Sequence, residues 1–170
     1  MIKKQTQIVL VDENDNLIGY KEKLECHKNP VPLHRAISVV IYDETGKRML
    51  LHKRASGKLT WPNFWTNPCC THPFKDESYK VAAQRRLKEE MGFSTPLKQV
   101  FKFIYKAKYN KTWGECELDA VFVGNYSGKI EPNPEEVADY KWIELDKLQS
   151  DVEKNSDKYT PWFKIILEKL

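Results

Sequence analysis

Two adjacent cysteines offer the most direct chemistry in this sequence, because Cys69 and Cys70 are followed two residues later by His72. Neighbouring thiols cannot easily form a relaxed disulfide with each other. Asn67 and the prolines of segment 65–73 favour a rigid turn over the middle of a helix or strand. A thiol held on such a turn beside an imidazole can transfer protons or bind a metal. The alternative is that one or both cysteines are small buried hydrophobic residues.

A pair of glutamates separated by one residue indicates a second chemical group. Residues two apart on a strand project to the same face, so Glu115 and Glu117 would lie together while Cys116 points to the other side. Like charges at this separation are costly unless a cation, solvent or a proton relieves them. The spacing therefore predicts either a pair that binds a cation or a solvent-exposed face.

The histidines add nitrogen ligands to these carboxylates. Three of the four histidines lie just outside the predicted strands and helices: His27, His34 and His72. Each alone is more typical of a loop than of a metal site. Together with the two glutamates they would form a closed nitrogen and oxygen site suited to Zn²⁺, Mn²⁺ or Mg²⁺, with the choice of ion left open. The remaining histidine, His52, lies in a predicted strand and is interpreted as structural.

The end of one predicted helix carries charges of the unfavourable sign. Glu89 and Glu90 lie in its last turn, at the negative end of the helix dipole. Ion pairs at a spacing of four residues, from Arg85 to Glu89 and from Arg86 to Glu90, would compensate this placement. The functional alternative is that one glutamate binds a metal cation.

The elements that must position these groups follow from hydrophobic period and turn residues. Helices are predicted at 76–91, capped by Asp76 and ended by Gly92, and at 160–170. A long irregular loop, 55–73, carries the two cysteines. Strands are predicted at 7–11, 17–20, 36–42, 49–51, 100–109, 117–123 and 140–143. The first two strands and the next two are predicted to form hairpins. Mixed strands with one central and one terminal helix indicate an α+β sandwich.

Composition limits the classes of protein to consider. A chain of 170 residues with 41% hydrophobic and 31% charged residues predicts one globular domain, 1–170. The net charge of +4 comes without a basic block, so we expect no nucleic-acid partner. The apolar run near the start is too short for a signal peptide, and no stretch reaches membrane-spanning length. Four irregularly spaced cysteines then predict reduced thiols and a cytoplasmic location.

Part of the central helix resembles the Nudix box, G-x5-E-x7-R-E-U-x-E-E-x-G-U, where U is apolar. Glu77 and the segment 85–93 supply the match. It departs at Thr71, where the box has Gly, and at Arg86, where the box has its first paired Glu. Nudix hydrolases use those glutamates to bind several divalent ions that activate water against a diphosphate. The replacement by Arg86 implies a site diverted from hydrolysis, in which Glu90 still binds one Mg²⁺.

Four motifs together resemble type I isopentenyl-diphosphate isomerases over 7–162. They lie at 33–36, 65–73, 85–90 and 113–119, and the arginine in the Nudix box is itself typical of that family. The resemblance implies a Nudix-like α/β/α sandwich with a mixed sheet and a central helix. It also implies interconversion of isopentenyl and dimethylallyl diphosphate for isoprenoid biosynthesis.

The resemblance assigns a role to each candidate residue. Cys70 and Glu117 would add and remove protons on opposite faces of the substrate, with Tyr105 hydrogen-bonding near the glutamate. One metal ion would be held by five residues: His27, His34, His72, Glu115 and Glu117. Glu90 would hold a Mg²⁺ that bridges the diphosphate, and three cations would bind phosphate oxygens: Lys23, Arg54 and Lys58. Trp162 would cover a cationic intermediate, or would simply anchor the last helix.

Two other functions remain as alternatives. A Nudix diphosphate hydrolase would release phosphate or a monophosphate and would not need Cys70. A non-catalytic domain stabilised by its metal would bind ligand without turnover. In each case the expected partner is a small diphosphate, with no nucleic acid or membrane, and the protein is expected to be a monomer or a weak homodimer.

Overall fold

A computed structural model describes residues 7–170. Residues 1–6 lie outside the described residues. The predicted domain 1–170 and the segment in which no signal peptide was expected both include them. The strands are β1 (Gln7–Val11), β2 (Leu17–Glu22), β3 (His34–Tyr42), β4 (Arg48–Arg54), β5 (Trp65–Thr66), β6 (Cys69–Thr71), β7 (Lys98–Lys108), β8 (Gly114–Asn125) and β9 (Val137–Glu144). The helices are α1 (Lys23–Cys26), α2 (Tyr79–Met91), α3 (Leu145–Lys154) and α4 (Pro161–Lys169), with a 3₁₀ turn at Ser156–Lys158.

Strand β3 is the centre of a nine-stranded mixed sheet. It pairs in parallel with β8, from His34 opposite Glu117 to Tyr42 opposite Asn125, and antiparallel with β1, β4 and β6. Strand β7 pairs antiparallel with β8, and β9 pairs antiparallel with β4. Both predicted hairpins are present, since β1 pairs with β2 and the end of β3 pairs with the start of β4.

Helices cover both faces of this sheet. Alternate side chains of β3, such as Val39 and Val40, are fully buried because they point to opposite faces. Val39 packs in one cluster with Leu87 of α2, whereas Val40 packs in another with Leu148 of α3 and Phe163 of α4. The predicted α/β/α sandwich with a mixed sheet and a central helix is confirmed. Among the helices of residues 7–170, none is long and apolar enough to span a membrane.

The central helix begins later than predicted. Ser78, not Asp76, is its N-cap, and the Ser78 side chain accepts a hydrogen bond of 3.3 Å from the backbone N–H of Val81. Asp76 has a φ of 65°, a left-handed conformation that precedes the helix and does not cap it. The predicted end is confirmed, because Gly92 has a φ of 79° and closes the helix through its N–H to Lys88.

The loop predicted at 55–73 contains two short strands. Cys69 and Cys70 lie on β6, where Cys70 is opposite Ser38 of β3, so the prediction of a turn at the cysteines was wrong. A strand of three residues has no detectable period, and its pairing with β3 is a long-range contact. Helices α1 and α3 were also not predicted from the sequence. Helix α1 has only four residues, which is too few to show a helical period. Helix α3 is longer and buries Leu148, but it was still missed.

Candidate active site

Five side chains meet at the end of the sheet where β3 and β8 begin. The potential ligand atoms of His27, His34, His72, Glu115 and Glu117 all lie within 4.8 Å of one another, and all five residues are buried. His27 follows α1, His72 follows β6, and the glutamates project from β8. His34 was predicted outside the regular elements, but it is the first residue of β3, directly across from Glu117. The sequence prediction of one cluster from these residues agrees with this geometry.

Backbone carbonyls fix the orientation of two of the imidazoles. His27 Nδ1 lies 2.6 Å from the carbonyl oxygen of Lys23, and His34 Nδ1 lies 2.9 Å from that of Pro32. A carbonyl oxygen only accepts, so each Nδ1 carries the hydrogen. When such a ring is neutral, its Nε2 lone pair is directed toward the cluster, which is the usual arrangement of a metal-binding histidine.

Two acceptor atoms at the centre of the cluster have no hydrogen-bond donor among the described residues. His27 Nε2 is 3.0 Å from Glu115 Oε2, and His34 Nε2 is 3.6 Å from Glu117 Oε1. His34 Nε2 and Glu115 Oε2 are buried without a hydrogen-bond partner among the described residues. Buried acceptors facing one another repel unless a cation lies between them. Three nitrogen and two carboxylate donors fit a divalent metal ion, so this cluster could hold one.

Glu117 is held by hydrogen bonds at both of its oxygens. His72 Nε2 lies 2.9 Å from Oε1, and the Tyr105 hydroxyl donates to Oε2 at 2.6 Å. Burial alone would raise the pKa of Glu117, but the nearby imidazoles of His34 and His72 outweigh it and hold that pKa well below its usual range. Burial and the charge of Glu117 raise the pKa of Tyr105 well above its usual range. The pair is therefore an ionised carboxylate and a neutral phenol.

Cys70 has polar neighbours on three sides of its sulfur. Its Sγ lies 3.1 Å from Asn67 Oδ1, 3.0 Å from Trp162 Nε1 and 3.5 Å from Ser38 Oγ. Burial, reinforced by the charge of Asp119, raises the pKa of the Cys70 thiol to about 12. The thiol therefore carries its hydrogen at neutral pH.

Cys69 points away from Cys70, because successive residues of a strand face opposite sides of the sheet. Cys69 is fully buried in the same cluster as Val39 and Leu87, and its Sγ lies 3.7 Å from Glu90 Oε1. Burial raises the pKa of Cys69 well above its usual range. The interpretation as a small buried hydrophobic residue therefore applies to Cys69.

A cavity of about 400 Å³ brings most of the predicted site residues together. The residues predicted to handle protons or the intermediate all line it: Cys70, Tyr105, Glu117 and Trp162. The cations predicted to bind diphosphate also line it: Lys23, Arg54 and Lys58. The metal cluster contributes His27, His72 and Glu115 to its wall. Two of the predicted site residues, His34 and Glu90, are not part of this lining.

The cations of the cavity differ in how firmly they are held. Arg54 is buried and donates to the carbonyl oxygens of Thr60 and Trp61, and its guanidinium carbon lies 5.3 Å from the centre of the Trp162 ring. Lys58 forms an ion pair of 2.6 Å with Glu136. Lys23 is exposed at the edge of the cavity.

Glu90 is 3% exposed and forms the ion pair that the helix spacing predicted. Arg86 Nη2 lies 2.7 Å from Glu90 Oε1 and 3.1 Å from Glu136 Oε1. Burial raises the pKa of Glu90, and the Arg86 charge offsets this only in part. The other predicted pair, Arg85 with Glu89, is also present at 3.3 Å.

Several polar residues around the cavity were not identified from the sequence. Ser38 and Asp119 lie inside strands that read as hydrophobic, and Glu136 follows a proline-rich loop without any motif. Asn67 was noticed as a turn residue and as part of the motif at 65–73, but it was given no role at the site. The sequence signal that could have identified Asn67 was its position two residues before Cys69, in a segment predicted to be a rigid turn.

Comparison with known proteins gives close relatives over nearly the whole chain. Residues 32–163 match a family model described as the NUDIX domain. An isopentenyl-diphosphate Delta-isomerase 2 of Aromatoleum aromaticum is 40% identical, over 98% of this chain and 87% of its own. One of Photorhabdus laumondii with the same name is 45% identical, over 96% and 91%. An isopentenyl-diphosphate Delta-isomerase of Serratia proteamaculans is 42% identical, over 96% and 90%.

Solved structures share the fold at lower identity. A Deinococcus radiodurans protein superposes with a TM-score of 0.71 at 15% identity, over 88% of this chain and 90% of its own. A MutT protein from Methanosarcina mazei superposes with a TM-score of 0.67 at 20% identity, over 81% and 92%. These two similarities show the fold alone, whereas the relatives at 40–45% identity show the family. The chain has the Nudix fold and belongs to the isopentenyl-diphosphate Delta-isomerases.

Proposed function

We propose that this protein interconverts isopentenyl diphosphate and dimethylallyl diphosphate, and so supplies isoprenoid biosynthesis. The names of its relatives support this substrate pair. The observation that carries the proposal is that Cys70 and Glu117 line one cavity in complementary protonation states. The thiol holds a hydrogen and the carboxylate is ionised, because their pKa values are shifted in opposite directions. Two groups tuned apart in this way can act as an acid and base pair.

The reaction requires one proton to be added and another to be removed. At one carbon of the alkene, a C–H bond forms as the S–H bond of Cys70 breaks, and the sulfur keeps the electron pair. At a second carbon, a C–H bond breaks, the electron pair forms the new double bond, and Glu117 receives the proton. In the opposite direction the two residues exchange roles. Proton transfer by groups held in position typically contributes a rate factor of about 10² to 10⁴.

We further propose that the five-residue cluster holds one Mn²⁺, Zn²⁺ or Mg²⁺. His27, His34, His72, Glu115 and Glu117 would be the ligands. When bound, the ion supplies positive charge that orients the Glu117 carboxylate and stabilises its ionised form. Tyr105 restrains the other oxygen of the same carboxylate by its hydrogen bond. Glu117 is thereby fixed at one wall of the cavity.

The diphosphate would bind among the cations Lys23, Arg54 and Lys58, with Glu90 holding a bridging Mg²⁺. Among the described residues, both side-chain hydrogen bonds of Glu90 use Oε1, which accepts from Arg86 and from Cys69. Glu90→Gln is expected to weaken substrate binding in a Mg²⁺-dependent way while the metal of the histidine cluster is retained. If this variant binds and turns over like wild type across a Mg²⁺ titration, Glu90 is only the ion-pair partner of Arg86.

Trp162 would stabilise positive charge on the substrate through its ring. The residue is 3% exposed, lines the cavity and meets the Trp61 ring nearly perpendicularly at 5.3 Å. Packing against Trp61 also supports the alternative that Trp162 anchors helix α4. Protonation of the alkene produces the tertiary centre that the Trp162 ring would face.

The test is to incubate the purified protein with isopentenyl diphosphate and Mg²⁺ and to follow hydrogen and phosphorus NMR spectra. The proposal predicts dimethylallyl diphosphate without released phosphate. Phosphate or monophosphate without the isomer would show a Nudix hydrolase instead, and binding without any product would show a non-catalytic domain. The cytoplasmic location is part of the same proposal and is supported by the four cysteines, all of which are unbridged.

A further inference from the structure

The amide of Asn67 has an orientation that its hydrogen bonds determine. Asn67 is fully buried between β5 and β6. Its Nδ2 donates to the carbonyl oxygens of Val39 at 3.1 Å and Cys69 at 2.9 Å. Carbonyl oxygens only accept, so these two contacts require the nitrogen and use both of its hydrogens. The side-chain oxygen of Asn67 is therefore the atom that faces Cys70.

A chain of hydroxyl groups fixes that oxygen from behind. Thr66 Oγ1 donates to Asn67 Oδ1 at 3.0 Å, and Thr160 Oγ1 donates to Thr66 Oγ1 at 2.8 Å. Thr66 and Thr160 are both fully buried. The single hydrogen of the Thr66 hydroxyl is used on Asn67, so the direction of every bond in the chain is defined.

The sulfur of Cys70 is the other partner of the same oxygen. Since Asn67 Oδ1 can only accept, the thiol must be the donor across the 3.1 Å contact. Trp162 Nε1 can only donate, so it bonds a lone pair of the sulfur at 3.0 Å. Ser38 Oγ is more distant at 3.5 Å, and its own hydrogen goes to Asp119 Oδ2 at 2.7 Å.

We infer that Asn67 is a positioning residue for Cys70: its side-chain oxygen accepts the thiol hydrogen and fixes the sulfur against the cavity. The inference rests on the proposed catalytic role of Cys70. The hydrogen-bonded chain continues to Thr160, which caps helix α4 two residues before Trp162. One buried network therefore holds both Cys70 and Trp162, which form adjacent parts of the cavity wall. A proton donor held in this way loses little entropy on reaching its reactive position.

The S–H stretching band in the infrared spectrum tests the contact directly, because few other protein groups absorb there. The difference spectrum between wild type and Cys70→Ala isolates the Cys70 band from those of the other cysteines. We expect a frequency below that of a simple thiol in an apolar solvent, as for a hydrogen-bonded S–H. In Asn67→Ala the band should move to higher frequency, with kcat reduced about fivefold to tenfold and KM changed less than about twofold.

Asn67→Ala removes four hydrogen bonds from a buried site, so a milder variant is needed beside it. Thr66→Val deletes the hydroxyl that supports Asn67 Oδ1 and keeps the shape of the side chain. It should shift the band in the same direction by a smaller amount and lower kcat less. Thr95→Val is the matched control, because its hydroxyl bonds the Asn125 carbonyl away from the cavity. The control should leave the band and kcat unchanged.

Two results separate this inference from the proposed function. A Cys70 band at the free-thiol frequency in wild type, or a band and kcat unchanged by Thr66→Val and Asn67→Ala, would overturn the positioning role. The wild-type spectrum alone shows whether the Cys70 band lies at the free-thiol frequency, so this part of the test does not depend on the folding of Asn67→Ala. Isomerisation at the normal rate by Cys70→Ala would instead overturn the proposed function, while the band shifts would still show Asn67 holding the thiol.

Discussion

The indole N–H of Trp162 donates a hydrogen bond of 3.0 Å to the sulfur of Cys70. The sequence offered two roles for this tryptophan, covering a cation and anchoring the terminal helix, and neither includes this contact. Through it, the residue proposed to stabilise the intermediate also contacts the residue proposed to transfer the proton. Substitutions of Trp162 therefore change two interactions, which variants of different chemistry can separate.

Trp162→Phe should retain more activity than Trp162→Leu. Phenylalanine loses the N–H donor but keeps an aromatic face, whereas leucine loses both. A cation–π attraction of about 2 kcal/mol, realised mainly in the transition state, corresponds to a rate loss of roughly 30-fold for leucine. Binding of a cationic ammonium analogue should weaken more than binding of a neutral-tailed diphosphate. Equal losses for the two ligands would mean that Trp162 only shapes the cavity, and thermal unfolding of each variant controls for the packing of α4.

Removing one ligand of the histidine cluster should lower its metal content. His72→Ala and Glu115→Gln each take one donor from the five that meet within 4.8 Å, so elemental analysis of purified protein should show substoichiometric metal. His52→Ala is the control, since His52 is buried but bonds the Pro68 carbonyl outside the cluster. Full occupancy in both ligand variants would show that the ligand set is misassigned.

Glu136→Gln should make stability depend less on pH in the acidic range. Burial alone would raise the pKa of Glu136, but the charges of Lys58 and Arg86 outweigh it and lower that pKa to about 2. In the unfolded chain the pKa returns to about 4.3. The ionised carboxylate therefore stabilises the folded state above pH ~4.3, and this contribution is lost as pH falls through about 2.

Glu136 is partly exposed, with 23% of its side chain accessible, so solvent screening reduces its contribution to the order of 1 kcal/mol. Wild type should be more stable than Glu136→Gln by about this amount at pH 7, and the difference should shrink between pH ~4.3 and about 2. Glu131→Gln, which alters an exposed pair with Lys129, should show no such difference. A gap between wild type and Glu136→Gln that is constant with pH would contradict the ion-pair explanation. Urea unfolding at several pH values measures it.

The parts of the site that depend on local period were predictable from the sequence. Glu115 and Glu117 project together because they are two apart on β8, and Gly92 ends α2 as its conformation requires. The meeting of His34 with Glu117 depends on the parallel register of β3 and β8, which no local pattern encodes. The residue types suggested one site for the histidines and glutamates, but their spacing along the chain could not show that they meet.

The network around Cys70 was beyond local prediction for the same reason. Asn67 contacts Val39, and Thr66 contacts Thr160, across long stretches of chain. Strand β6 has only three residues and owes its conformation to pairing with β3, so the cysteines were wrongly expected in a turn. The sequence could identify Asn67 as a rigid turn residue but could not reveal what its oxygen contacts.

The transfer of protons by Cys70 and Glu117 is tested most directly by NMR of isomerisation in D₂O, with Cys70→Ala and Cys69→Ala compared side by side. Both substitutions remove one buried thiol, and the two side chains face opposite sides of the same strand. Cys69→Ala should isomerise and incorporate deuterium near the wild-type rate, while losing about 1–2 kcal/mol of unfolding free energy to the cavity it leaves. Cys70→Ala should remain folded and bind substrate but form no isomer. Equal activity in the two variants, whether both retain it or both lose it, would contradict the account.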